Sequence, residues 1–381
     1  MAADEGGGKE TRKEHEVFMR LVTFGEVMIR LAPEEFLRLA QVLPGRLEAT
    51  FGGGEVNVAV SVALQGGKAA FATVLPDNVL SDCFEQELRR LKVDPGLVKR
   101  SPNGRFGVYF VETGANQRSG TVTYDREHSS IALSSPQDYD WQAILQGATW
   151  FHITGITPAI SAQSAAAARE AVRAAQERKI TVSCDLNFRK KLWRWKAGAA
   201  PVELARETMR GLVPFVDLVI ANEEDAEMCL GIRAAESDVE EGAIHLEGYA
   251  EVARQIVQQY SNVSRVAITL RESISASHNN WGALLYDAKS GGLHVAPWDT
   301  GGRYRPYEIK NIVDRVGAGD SFAGGLIFAL NTPGLDDPAT ALRYATAASC
   351  LKHSIKGDFN YATRSEIEAL MKGSGSGRVV R

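Results

Sequence analysis

Residues Gly317-Ala318-Gly319-Asp320 stand between a strand-like run, 307–313, and an apolar helix-like run, 321–330. Two glycines let the backbone turn sharply and approach a ligand closely. The unpaired amides that open a helix, with the positive end of its dipole, form a site for an anion. Asp320 then lies beside that anion. A carboxylate there makes electrostatic sense if it takes the proton of a hydroxyl that attacks a phosphate. The same residues also suit a simpler role, an Asp cap after a glycine turn. The four alone do not separate these readings.

The elements that must position them alternate along the chain. Strands are expected at 149–154, 181–185, 218–221 and 265–270, with helices at 162–178, 201–212, 223–230 and 249–260 between or after them. Such alternation predicts an α/β fold, a doubly wound, mostly parallel sheet with helices on both faces. Upstream, 20–31 reads as one strand with Gly25-Glu26 inside it. A helix follows Gly52-Gly53-Gly54, with Val56, Val60, Ala63 and Leu64 on one face. Segments 105–112 and 121–126 read as a hairpin. Strands near 282–286, 292–296 and 308–313 precede the Gly317 turn, and helices 337–352 and 364–372 close the chain. Doubly wound sheets bind ligands beyond the carboxyl ends of their strands. Asp185-Leu186-Asn187-Phe188-Arg189, Asn222-Glu223-Glu224-Asp225 and Gly317–Asp320 are all expected on that rim.

The 381 residues are 44% apolar and 24% charged, with net charge −4, as in globular proteins. The charge argues against a nucleic-acid surface. Cys83, Cys184, Cys229 and Cys350 show no metal spacing and sit in apolar contexts, so buried free thiols in a reducing, cytoplasmic setting are expected. No apolar run approaches the roughly 18 residues that span a bilayer. Residues 1–18 and 373–381 read as polar, flexible tails around a domain at 19–372.

Two motifs give the chain a family resemblance over residues 19–372. Gly52-Gly53-Gly54-Glu55-Val56-Asn57-Val58-Ala59 resembles the sugar-site motif of ribokinase-like (phosphofructokinase-B) carbohydrate kinases. Asp314-Arg315-Val316-Gly317-Ala318-Gly319-Asp320 resembles their anion-hole motif. Within that family, Thr123-Tyr124-Asp125-Arg126, Asp185-Leu186-Asn187-Phe188-Arg189 and Lys356-Gly357-Asp358-Phe359-Asn360 are most similar to 2-keto-3-deoxygluconate kinases. The resemblance implies a ribokinase-like fold with a small β lid, about 32–50 and 104–131. It implies transfer of phosphate from ATP, with Mg²⁺, to a sugar acid.

On that basis Asp320 is the expected base, with the low pKa of an acid at a helix N-terminus. Gly317, Ala318 and Gly319 are the expected anion hole. Gly53, Gly54 and Asn57 would line the sugar site. Arg126 and Arg189 would hold a carboxylate, which a neutral sugar lacks. Tyr109 and Tyr124 would pack on the carbon chain. Taken singly, either arginine also fits a surface ion pair. Asn222 and Asp225 match a family element tied to Mg²⁺ and phosphate, with Asp in place of Glu. They also fit a helix cap, the reading preferred for Glu223 and Glu224. Arg315 and Val316 stand where the family often has threonines. Thr269-Leu270-Arg271 departs from the usual Thr-Leu-Gly, and a polar stretch, 272–280, follows. Thr269 and Arg271 are nonetheless taken as nucleotide contacts. His152 is expected to be a satisfied core histidine and Trp193 and Trp195 loop anchors; His128, beside Arg126 in the lid, is not taken as a site residue. Open lid edges predict a homodimer. The alternatives are a fructokinase or ribokinase, and a sugar sensor without turnover.

Overall fold

Runs 68–76 and 150–154 are mostly apolar and carry few charges, and both become strands buried on two faces. They belong to a computed structural model that describes residues 19–233, 246–299 and 301–373. The predicted tails fall outside it, save Gly373. The strands in chain order are β1 Arg20–Phe24, β2 Met28–Ala32, β3 Glu48–Gly52, β4 Lys68–Pro76, β5 Val93–Asp94, β6 Val98–Ser101, β7 Gly107–Glu112, β8 Thr121–Asp125, β9 Trp150–Thr154, β10 Thr181–Asp185, β11 Leu218–Ala221, β12 Arg265–Ser275, β13 His278–Asp287, β14 Gly292–Ala296 and β15 Tyr307–Lys310. The large sheet runs β14-β13-β12-β11-β10-β9-β1-β4-β5, with β15 on β13 and β6 on β4. It is parallel from β12 to β6 and antiparallel around β13.

Successive residues of β1 enter opposite cores. Val22 and Phe24 pack with Phe151, Ile153 and Val182 under helices Ala162–Glu177 and Pro201–Arg210. Leu21 packs with Trp150, Ile220 and Ala267 under helices Gly54–Leu64, Ala318–Leu330 and Pro338–Lys352. Alanines 167, 168, 171 and 175 give helix Ala162–Glu177 a smooth face that sits close on the sheet, and Ser161 caps its start through Ser164 N at 3.0 Å. Among the described residues no helix is long and apolar enough to cross a membrane.

The expected single strand at 20–31 is two strands in two sheets. β1 joins the large sheet, and β2 joins a four-stranded sheet of order β3-β2-β7-β8. The break falls at Gly25, where a Cβ would lie 2.2 Å from Glu55 Oε2. Only glycine lets the chain pass that buried carboxyl. Helix Gly54–Leu64 is buried around nearly its whole circumference, not on one face, because it lies between β4 and helix Ala318–Leu330. The polar stretch 272–280 is no loop. It extends β12 and β13 into a ribbon whose tip meets the small sheet, with Ala276 N donating to Asn116 O at 2.7 Å. β15 stops at Lys310, earlier than expected, and 311–316 cross to the glycine turn. Of the four free cysteines, Cys184 and Cys229 are buried, but Cys350 is half-buried and Cys83 exposed. Cys83 lies on the solvent side of an amphipathic helix, Val79–Arg90, whose inner face is Phe84 and Leu88.

Candidate active site

Gly317 has φ +81, and a Cβ there would lie 2.1 Å from the Asp358 carbonyl, so the turn requires glycine. It delivers the chain into helix Ala318–Leu330. The amide of Ser321 turns back to the Gly317 carbonyl (2.9 Å), and that of Ala318 lies 3.3 Å from the Arg315 carbonyl. The amides of Gly319 and Asp320 remain the open donors of the first turn. The position of a Cβ on Gly319 has no atom within 4 Å, so the turn faces open space.

That space is a cavity of about 440 Å³ between the two sheets. Every site residue expected from the sequence lines it. Gly53, Gly54 and Asn57 come from the turn into the first long helix, and Tyr109, Tyr124 and Arg126 from the small sheet. Arg189, Asn222, Asp225, Thr269 and Arg271 follow the strand ends, and Gly317–Asp320 form the turn.

Asp320 is 9% exposed and accepts from Asn57 Nδ2 at 2.7 Å. Its carboxyl is pushed up to about 6, against the low value expected at a helix N-terminus. Burial is the main cause, and Asp358 adds to it. Asn57, Arg189 and Lys352 pull the other way without matching burial. Asp185, on the same rim, is also raised, by burial first and then by Asp225 and Asp320. The rim is therefore a crowd of carboxylates that an incoming cation or proton would relieve.

Arg126 is not a free fork. It is buried, ion-paired to Glu26 and stacked over Tyr124 at 5.5 Å. The ion pair neutralises the charge that the sequence assigned to a ligand. Arg189 is exposed at the cavity and donates to its own Phe188 carbonyl at 3.0 Å, with no ion pair among the described residues. Asn222 caps helix Glu223–Leu230, accepting from Glu224 N and Asp225 N, while Asp225 accepts from Asn222 N and Phe188 N. Both residues thus hold the loop that carries Arg189. The cap reading and the cavity position hold together for Asn222 and Asp225.

His128 is exposed and does not line the cavity. His152 is only half satisfied. Its Nδ1 lies 2.8 Å from Ser183 Oγ, and its Nε2 is buried without a partner. Burial pulls it down to about 3, which keeps it neutral. Trp193 is fully buried and Trp195 donates to the Pro158 carbonyl, so both anchor their loop.

Sequence reasoning missed the charges behind the turn. Arg30 of β2 is 2% exposed and holds Asp314 at 2.5 Å and Asp358 at 2.9 Å. Asp314 in turn accepts from Val316 N and Gly357 N. Burial would lower the Arg30 pKa, but the two carboxylates more than offset it and the pKa is raised. Lys352, buried beside them, is lowered by burial. Asp358 was visible as the acid of the Gly357-Asp358 pair. Arg30 had no local signal, since its partners lie at the far end of the chain.

The pfkB family carbohydrate kinase model matches residues 19–360. The chain belongs to the pfkB family of carbohydrate kinases. It is 32% identical over 357 residues to 2-dehydro-3-deoxygalactonokinase from Haloferax volcanii, covering 94% of this chain and 98% of that one. It is 42% identical to the crystal structure of 2-dehydro-3-deoxygluconokinase from Thermotoga maritima, with a TM-score of 0.82 over 93% of this chain and 100% of the other. A fructokinase with bound ATP from Xylella fastidiosa shares the fold, with a TM-score of 0.70 at 22% identity, over 94% and 99% of the two chains. In this pfkB kinase the ribokinase-like fold is present as expected, with its large, mostly parallel sheet and its separate small one.

Proposed function

We propose that this kinase transfers the γ-phosphoryl group of ATP to a sugar acid, 2-keto-3-deoxygluconate, giving its 6-phosphate. The observation that carries the reading is a buried carboxylate, Asp320, held by Asn57 at 2.7 Å next to two open amides in a cavity that also holds Arg189. The 6-hydroxyl oxygen forms the new P–O bond, its proton passes to Asp320, and the bond from the β-γ bridging oxygen to the γ-phosphorus breaks to leave ADP. A pKa near 6 leaves Asp320 mostly ionised at pH 7 yet basic enough to orient and accept that proton. The amides of Gly319 and Asp320, next to Gly317 and Ala318, offer the oxyanion its donors. Such donors act on charge that grows in the transition state, where they count most.

Arg189, without an ion pair among the described residues, is the stronger choice for the substrate carboxylate. Arg126 lends its remaining donors from its pair with Glu26. Gly53, Gly54 and Asn57 contact hydroxyls, and Tyr109 and Tyr124, with ring centroids 6.1 Å apart, flank the carbon chain. Thr269 and Arg271 face the nucleotide. Asn222 and Asp225 would hold Mg²⁺ through water, and the ion would neutralise phosphate charge there.

The small sheet serves as a lid that excludes water from the transfer. Its strands β3 and β8 have open outer edges, and Ile29, Leu31, Val108 and Phe110 form a half-exposed apolar row on its outer face. Pairing two such sheets covers both, which supports a homodimer. A monomer in light scattering at micromolar concentration would refute it. An ADP-release assay across sugar acids and neutral ketoses or pentoses tests the substrate. The reading expects a sugar acid to be preferred by at least tenfold in kcat/KM, and preference for fructose or ribose would overturn it.

A further inference from the structure

The ribbon of β12 and β13 forms a cavity wall whose chemistry is unspent. Asn279 is 1% exposed, lines the cavity, and neither of its amide atoms has a hydrogen-bond partner. The indole N–H of Trp281, 5% exposed, lines the same cavity and is also unpartnered. Cross-strand pairing sets Arg271 opposite Trp281 and Ser273 opposite Asn279, so Arg271, Trp281 and Asn279 share one face of the ribbon. Arg315 joins them from the segment before the glycine turn, donating to the carbonyls of Ser275 (3.1 Å) and Ala276 (2.6 Å). Its pKa is depressed by burial first and by the charge of Arg271 second.

Each of these features is unfavourable by itself. Buried polar atoms lack a hydrogen-bond partner in the protein, and the charges of Arg271 and Arg315 oppose each other. They lie on one wall, and Arg315 is two residues from Gly317. A ligand rich in acceptor oxygens and negative charge relieves all of them together. Among the ligands of a sugar kinase the nucleotide's phosphate chain has that chemistry, since it is polyanionic and its oxygens accept from every side. It must also lead away from the phosphoryl group seated at the turn.

We propose that Arg271, Arg315, Asn279 and the Trp281 N–H form a seat for the α- and β-phosphates of the nucleotide on the ribbon face. The seat rests on the kinase reading above but is separate from it, because the glycine turn can hold the γ-phosphoryl without the ribbon. Asn279 turns Nδ2 to a phosphate oxygen and accepts a guanidinium N–H at Oδ1. The ribbon thereby does what a glycine backbone would do after Thr269-Leu270: it brings donors to the phosphates, here from side chains.

The test is calorimetric titration of the full-length protein with ADP, AMP and adenosine. It compares wild type, Asn279→Leu, Arg315→Met and the exposed-site variant Arg271→Met, with melting of each ligand-free protein. The expected result is ADP affinity at least tenfold weaker in each variant, AMP affected less, and adenosine unchanged. Asn279→Leu should melt at or above the wild-type temperature, because it removes orphaned polar atoms. ADP affinity at the wild-type level in the variants overturns the seat and leaves the kinase reading standing. So does an equal loss for ADP and adenosine, or a lower melting temperature for Asn279→Leu with ADP binding intact, which would mean ordered water only. A wild-type protein that binds no ADP overturns the nucleotide reading itself.

Discussion

Asn57 Nδ2 lies 2.7 Å from Asp320 Oδ2, joining residues 263 apart in sequence. Asn57 Oδ1 meanwhile accepts from Gly53 N at 3.2 Å. Through this one side chain the two glycine motifs, at opposite ends of the chain, become one site. The amide lowers the pKa of Asp320 against the burial that raises it.

The first consequence is a pH profile. kcat/KM should fall on the acid side with an apparent pKa near 6, as Asp320 takes up a proton and ceases to be a base. Asn57→Leu removes the bond that favours the ionised form, so the acid limb should move to higher pH. A limb near 4, or one unmoved in Asn57→Leu, would show that another group sets it.

Asp320 should also limit stability. Its folded pKa is raised from the ordinary 3.8 to about 6, so the ionised carboxylate is worse off folded than unfolded. The stability it contributes is fully present below about pH 4 and is lost as pH rises through 6. Asp320→Asn should therefore be more stable than wild type at pH 8, by on the order of 1–3 kcal/mol. The gap should close as pH falls toward 4, as followed by urea unfolding at both pH values.

Arg126 and Arg189 should separate in their effects. Arg189→Ala removes an unpaired cation at the cavity and should raise KM for the sugar acid at least tenfold, with little change in melting. Arg126→Ala strands Glu26 in the interior and should cost about 3–5 kcal/mol of stability as well. Thermal melts beside Michaelis curves for a sugar acid and a neutral sugar distinguish the two outcomes.

Arg30 holds the segments on either side of the Gly317 turn through Asp314 and Asp358. Arg30→Met leaves Asp314 and Asp358 as buried, unpaired carboxylates and should destabilise the fold by about 3–5 kcal/mol at pH 7. Arg30→Lys should restore part of the loss, since it returns a cation without the second arm of the fork. Chemical denaturation of both variants reads the two outcomes.

What the sequence made legible was local. The turn at 317–320 announces itself because glycines, an acid and an apolar run are contiguous, and β10, β11 and β14 stand where their apolar runs end. Burial is not local. Asp320 looks like any acid at a helix start until the neighbouring helices enclose it, and its pKa then follows the enclosure. Arg126 looked free because Glu26, its partner, sits 100 residues earlier. Arg30 and Asp358 are 328 apart, and nothing in either neighbourhood points to the other. The run 20–31 reads as one strand, and its change of sheet at Gly25 depends on Glu55, a residue from another element. The polar segment 272–280 lacks the usual hairpin signals, and the distant β15 pairs with its second strand.

The most direct test of the account is single-turnover phosphoryl transfer by Asp320→Asn with a sugar acid and ATP at saturation. The account predicts a rate lower by roughly 10²–10⁴-fold, with ADP affinity within a few-fold of wild type and melting no lower. Transfer within tenfold of the wild-type rate would contradict it, because the carboxylate at the heart of the site would then not be the base.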